Sequence, residues 1–344
     1  MPTKSAYWKT TSKQSKNNKK NKLAFLALGF LLLIIVFGQL IKFVNSLSVP
    51  LTSTLVGKTY LWDGSSNINL VIKGEEISVM SYNPDQKTVK IIKIPDNTYI
   101  NVSSGFGSWP LRSVFDLGQV EKPPRGSQLL VQSVSIYFGI PMDGFLELKN
   151  KNEVDLVEFL QEPGFIFSAN SKIRTDLTPL EIIRLTWGLR GVRFDKIKTY
   201  DLAELNLLKS LILSDGTTVL SADSNNIDTF AQNFIEDKIS SERFTVAVLN
   251  ATDSPGLAQK AARLITNMGG NVIQQTNFRT NTKASQIIVD LGDKEVLGSY
   301  TYRRLGNIFG LGCQKAPKCD KINSVETRAR INIILGEDFY QRFQ

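Results

Sequence analysis

From Leu23 to Ile41 nineteen residues run almost without a polar break, LAFLALGFLLLIIVFGQLI, and no later stretch repeats that density. As a helix the run reaches about 28 Å, close to the hydrocarbon depth of a bilayer. Beyond it the pattern becomes short and alternating. NINLVIKGEEISVMSYNPDQKTVKIIKIPDNTYINV contains three strand-like runs, with Asn83-Pro84-Asp85 as the turn that makes the last two a hairpin. SQLLVQSVSIYFGI reads as a helix. Thr178, Pro179 and Glu181 form a capping box ahead of LEIIRLTWGLRG, which Gly191 closes. This alternation of strands and helices predicts an α/β domain over 50–221. In the linker 222–241, DTFAQNFIEDKI is a short helix with Phe230 and Phe234 on one face, either a hinge or a docking element.

The last hundred residues are more regular. FTVAVLNA is a strand, and TDSPGLAQKAARLITNMGG is a helix that Ser254 can cap, with Pro255 in its first turn. Leu257, Ala261, Leu264, Ile265 and Met268 recur at helical spacing, and Gly269 and Gly270 end the element. NVIQQTNF and ASQIIVDLG follow as strands, KEVLGSYTYRRLGNIFG as a second helix and ARINIILGEDF as a last strand. The order β-α-β-β-α-β predicts a small split βαβ sandwich over 242–344.

Charge gives the apolar run its direction. Lys4, Lys9, Lys13, Lys16, Lys19, Lys20 and Lys22 precede it, and no acid occurs before Asp63. The spacing therefore predicts a basic cytoplasmic tail over 1–22, a single transmembrane helix over 23–43 and an extracytoplasmic remainder. A cleaved signal peptide, with Ser46 and Ser48 flanking the peptidase site, is the alternative, but its apolar region would be shorter. Setting aside those seven lysines and Lys42 reduces the net charge from +9 to +1, so the basic balance is no sign of a nucleic-acid partner. The chain has no histidine. That excludes Ser-His-Asp and Cys-His catalysis and every histidine-containing zinc site. Its two cysteines, Cys313 and Cys319, are expected to form a local disulfide outside the cytoplasm. GLGC and MGG lack the spacing of a dinucleotide loop, so no such cofactor is expected.

The segment VAVLNATDSPGLAQKAARLITNMGGNVI, with the closing INIILGEDF, resembles the C-terminal domain of LytR-type proteins of the LytR-CpsA-Psr cell-envelope family. The resemblance covers about 242–339 and implies a wall-associated module. Asn250, Thr252, Asp253 and Gly256 sit at its first strand-to-helix turn, where backbone amides favour an anionic ligand, or where the residues serve the turn itself. Gly336 and Asp338 end the last strand.

SVMSYNPDQKTVKIIKIPDNTYI is also similar to the catalytic domain of that family, which transfers a glycopolymer from a polyprenyl pyrophosphate carrier to peptidoglycan. There the strand ends Ile-Pro-Arg-Asp; here Asp96 and Asn97 follow Ile94-Pro95. An anion thus replaces a phosphate-binding cation, and the later arginine-rich region has no clear counterpart. Arg184, Arg190 and Arg193 lie on an ordinary amphipathic helix and its exit. Glu75 stands roughly where a metal-binding aspartate would fall, and Arg112 and Arg125 remain as candidate phosphate contacts. The resemblance implies a single-pass envelope protein with a degenerate LytR-CpsA-Psr-like domain, binding cell-wall polymer or peptidoglycan without a cofactor. A divergent magnesium-dependent phosphotransferase and a scaffold for other envelope proteins are the alternatives.

Overall fold

The computed structural model describes residues 26, 28–30, 61–121, 125–149, 156–162, 165–309 and 325–343. Of the predicted span only Leu26, Leu28, Gly29 and Phe30 are described, and they are helical. Among the described residues no helix is long and apolar enough to cross a membrane. Cys313 and Cys319 lie outside the described residues. The segment Pro50–Gln344 forms one compact unit and Met1–Val49 another.

In the first domain β1 (Ile68–Lys73), β2 (Ile77–Asn83), β3 (Thr88–Ile94), the short β4 (Tyr99–Val102) and β5 (Gly107–Pro110) lead into α1 (Leu111–Glu121) and α2 (Gly126–Phe138). Next come β6 (Gly144–Leu148), α3 (Leu156–Gln161), α4 (Phe165–Lys172), β7 (Ile173–Thr175), α5 (Pro179–Leu189) and β8 (Ile197–Asp201). Six strands form one mixed sheet in the order β7-β6-β1-β2-β3-β8. The strand β1 is buried on both faces because helices cover both, hence its near-continuous apolar run. Val71, Val79, Ile92 and Phe145 pack with α1 and α2 on one face. Leu70, Ile72, Met80 and Leu146 pack with α3, α4 and α5 on the other. The capping box at Thr178 is present, and Glu181 also accepts the Trp62 amide at 2.8 Å. The helix α5 stops at Leu189, with Arg190 rather than Gly191 as its cap.

The hairpin β9 (Leu208–Ile212) and β10 (Thr218–Ala222) leads to α6 (Ser224–Ala231) and α7 (Asp237–Glu242). Phe230 and Phe234 are buried in the core of the first domain with ring centroids 5.7 Å apart, so this segment docks.

The C-terminal domain runs β11 (Thr245–Asn250), α8 (Leu257–Asn267), β12 (Asn271–Asn277), β13 (Gln286–Val289), α9 (Lys294–Leu297), α10 (Tyr300–Phe309), β14 (Ile331–Leu335) and α11 (Glu337–Phe343). Its order is as expected except that Gly298 and Ser299 divide the second helix and α11 follows the last strand. The predicted split arrangement is corrected. The sheet order is β12-β11-β14-β13, so the two strands joined by α8 are direct parallel neighbours. Burial explains this: β14 is buried throughout and β11 at all but its first residue, which takes a partner on each side, whereas β12 carries exposed positions along its length and suits an edge. The start of α8 is also corrected. Gly256, with φ of 78°, is its N-cap, while Ser254 is engaged in the preceding turn. At its other end Gly269 has φ of 96° and the Gly270 amide donates to Ile265 O at 2.8 Å, a stop that only glycine accommodates readily.

Candidate functional site

At the end of the sheet where β1 turns into β2, three charged side chains stand side by side on neighbouring strands. Lys73 pairs in register with Glu147 of β6, and Glu147 with Arg174 of β7. Lys73 Nζ lies 2.8 Å from one Glu147 oxygen and Arg174 Nη1 3.1 Å from the other, and Lys73 Nζ lies 4.5 Å from the centroid of the Phe115 ring. Two cations thus share one carboxylate on the face covered by α1, with one positive charge in excess. All three side chains are partly exposed. Within this trio the donors are held in fixed directions around one shared carboxylate, and the acids Glu75 and Glu76 follow Lys73 in the adjoining turn.

The residues singled out in the sequence surround this end unevenly. Glu75 is exposed in the β1–β2 turn directly after Lys73 and Gly74. Asp96 follows β3, whose last residue Ile94 pairs with Ile77, so it lies beyond the same end of the sheet. The Asp96 carbonyl accepts the Arg112 amide at 3.1 Å at the start of α1, the Asn97 carbonyl accepts the Leu220 amide at 3.0 Å, and the Arg112 side chain is exposed. Arg125 is committed elsewhere: its guanidinium donates to Glu121 at 2.8 Å and to Ser104 Oγ at 2.9 Å. Among the described residues no three acidic, cysteine or histidine side chains gather as a metal site would require.

The other end of the same sheet face is polar but covered. Arg304, on α10, is fully buried; its Nη1 donates to Asp143 at 3.0 Å and its Nε to Glu236 at 2.9 Å. Asp143 also accepts the Asn69 amide at 2.8 Å, and Tyr300 donates to Glu236. Two carboxylates on one guanidinium leave a surplus negative charge out of water, and burial holds the Glu236 carboxyl above its ordinary range. Beside this seam, Asn67, Ser81, Thr88 and Lys90 of the sheet face Asn233 and Asp237 across a small cavity of about 130 Å³. Lys90 donates to the Asn233 carbonyl, and burial lowers its pKa. Gly139, with φ of 61°, completes the contact: a Cβ there would lie 2.6 Å from Asn267 Nδ2 of α8.

Asn250, Thr252, Asp253 and Gly256 do come together after β11. Asn250 Oδ1 accepts from Thr252 Oγ1 at 2.7 Å and its Nδ2 donates to Ser254 O at 2.7 Å, while Asp253 accepts from Asn281 at 2.8 Å. Asp338 accepts from the Ser285 amide at 2.8 Å, and Gly336 packs so closely that a Cβ would lie 2.6 Å from the Ala284 backbone. These side chains hold the turn and the strand end. Residues 243–339 match the family model described as LytR cell envelope-related transcriptional attenuator. They form a LytR C-terminal domain. No curated protein matches the chain. Among solved structures, the transcriptional regulator yvhJ of Bacillus subtilis is 15% identical, covering 48% of this chain and 94% of that one with a TM-score of 0.37. Bacillus subtilis TagV is 12% identical over 48% and 94%, with a TM-score of 0.38. The LytR-CPS2A-psr family protein YwtF (TagT), solved with bound octaprenyl pyrophosphate lipid, is 14% identical over 53% and 95%, with a TM-score of 0.36.

The LytR C-terminal domain thus contributes Arg304 to the seam, a residue that sequence reasoning missed. A signal was present: Tyr300, Arg304 and Ile308 recur at four-residue spacing, placing a cation on the apolar stripe of α10. Lys73, Glu147 and Arg174 were missed as well. Lys73 ends a buried run, but Glu147 and Arg174 are 27 residues apart in sequence, and only strand pairing makes them neighbours.

Proposed function

We propose that this chain is a membrane-anchored cell-envelope protein that binds phosphate-bearing wall polymer without transferring it. The reading rests on the Lys73–Glu147–Arg174 cluster, which offers a surplus cation at an open sheet end. Arg112 adds an exposed charge at the start of α1. The LytR C-terminal domain supports an envelope role, and the apolar Leu23–Ile41 run with its preceding lysines supports a cytoplasmic N-terminus and an external remainder. Asp96 argues against transfer, because it sets a negative charge after Ile94-Pro95, where the resembling enzymes carry an arginine. A missing transition-state donor costs about 3 kcal/mol, roughly two decades of rate.

The test uses the full chain in detergent and wall sacculi that either retain their phosphate polymer or have been stripped of it. Retention should fall on stripping and fall again for the Lys73→Gln/Arg174→Gln variant on intact wall. Equal retention on both kinds of wall sinks the polymer reading, and magnesium-dependent transfer from a lipid-linked glycopolymer sinks the noncatalytic one.

A further inference from the structure

On the opposite face of the sheet, α5 ends in a segment with a different chemistry. From Trp187 in the last turn of α5 to Lys196, the chain leaves the helix through tight turns in which Val192 N donates to Leu189 O and Lys196 N to Arg193 O. Leu189 and Val192 are buried and hold the segment to the core. Trp187 is 73% exposed and Phe194 85% exposed. Arg190, Arg193 and Lys196 are exposed with them. Lys87 joins Trp187, Arg190 and Gly191 around an open cleft of about 350 Å³ floored by Tyr82. The segment's acid, Asp195, is engaged by Arg193 at 3.0 Å. A Cβ on Gly188 would lie 2.6 Å from the Tyr82 hydroxyl, so this glycine lets the helix sit close over the cleft floor.

We infer that this face docks on an anionic phospholipid bilayer. Four cations against two acids that are each paired, Asp195 with Arg193 and Asp85 with Lys238, match a phosphate headgroup layer, and a Trp and a Phe left in solvent suit the apolar boundary beneath it. A sugar-binding surface would set several acceptors beside its aromatic rings to take hydroxyl protons, whereas the segment's one carboxylate, Asp195, is engaged by Arg193 and its other charged side chains are donors. The inference rests on the membrane anchor proposed above: a tether on one side of a bilayer holds the folded unit at high local concentration against it, so a weak surface suffices. Each cation removed should reduce the ratio of docked to free protein about fivefold.

The test reconstitutes the full chain in nanodiscs with brominated acyl chains, either purely phosphatidylcholine or with phosphatidylglycerol added, and reads tryptophan quenching. The anionic discs should quench a component that the Trp187→Phe variant lacks, that high salt releases and that Arg190→Gln/Arg193→Gln weakens about 25-fold. Zwitterionic discs should quench it little. Equal quenching of the parent chain and Trp187→Phe in anionic discs overturns the proposal. So does protection of Trp187 from acrylamide by soluble poly(glycerol phosphate) without quenching by brominated lipid, which would make the face a polymer site. A chain that stays with neither disc overturns the anchor and the docking face together, while a chain that stays but shows no Trp187 component overturns docking alone. Trp187 lies outside the core, and unchanged circular dichroism of its variant excludes misfolding.

Discussion

The two ends of one sheet face carry opposite charge arrangements. At one, Glu147 lies between Lys73 and Arg174 in partial contact with water; at the other, Arg304 lies between Asp143 and Glu236 with none. The atoms and distances are nearly the same, so chemistry alone does not separate a binding site from a structural lock. Burial does. In the seam the desolvated ions have each other as partners, and removing one leaves a charge stranded. At the open end water screens each pair, the pairs contribute little to stability, and the surplus charge is available to a ligand.

The largest expected effect tests the closed end. Arg304→Leu should destabilise the protein by about 3–5 kcal/mol in urea unfolding, because two buried carboxylates lose their counter-charge. A loss below about 1 kcal/mol would mean that the seam is wetter than its geometry indicates.

Glu236 sharpens the comparison through pH. A carboxyl whose folded pKa is raised above its ordinary 4.5 holds its proton more tightly folded than unfolded. Its contribution is therefore full below about 4.5 and is lost as pH rises through the folded value. Glu236→Gln should remove that decline from a series of unfolding curves, and an unchanged slope would assign it to another group.

Smaller effects are expected at the open end. Glu147→Gln should change stability by less than about 1 kcal/mol, yet tighten polymer binding several-fold by unmasking two cations. Arg174→Gln should loosen binding by a similar factor and make it less sensitive to salt, read from retention on intact sacculi at rising ionic strength. If Glu147→Gln instead unfolds the chain, the contrast between the ends fails.

Much of the architecture was legible because it is written in local pattern. The β2–β3 hairpin followed from Asn83-Pro84-Asp85, the start of α5 from Thr178 and Glu181, and the end of α8 from Gly269, each a short-range hydrogen-bonding or backbone requirement. The readings that failed depended on pairing. Nothing in the spacing of β11, α8 and β12 specifies whether another strand intervenes, and the expected cap at Ser254 lost to a turn organised by Asn250. Arg125, a candidate phosphate contact in sequence, is taken by Glu121 four residues before it and by Ser104 21 residues before it, and only the fold supplies the second partner.

By itself the sequence determined the punctuation of the chain, the β-α-β-β-α-β order of its LytR C-terminal domain and the exclusion of histidine chemistry. These depend on residue type and on neighbours within a few positions. Which charges meet, and whether water reaches them, only the tertiary structure decided. Strand register set Lys73 beside Glu147, and docking of α10 removed Arg304 from solvent. The strength of an ion pair depends on the medium around it, and that medium is assembled from residues distant in the chain.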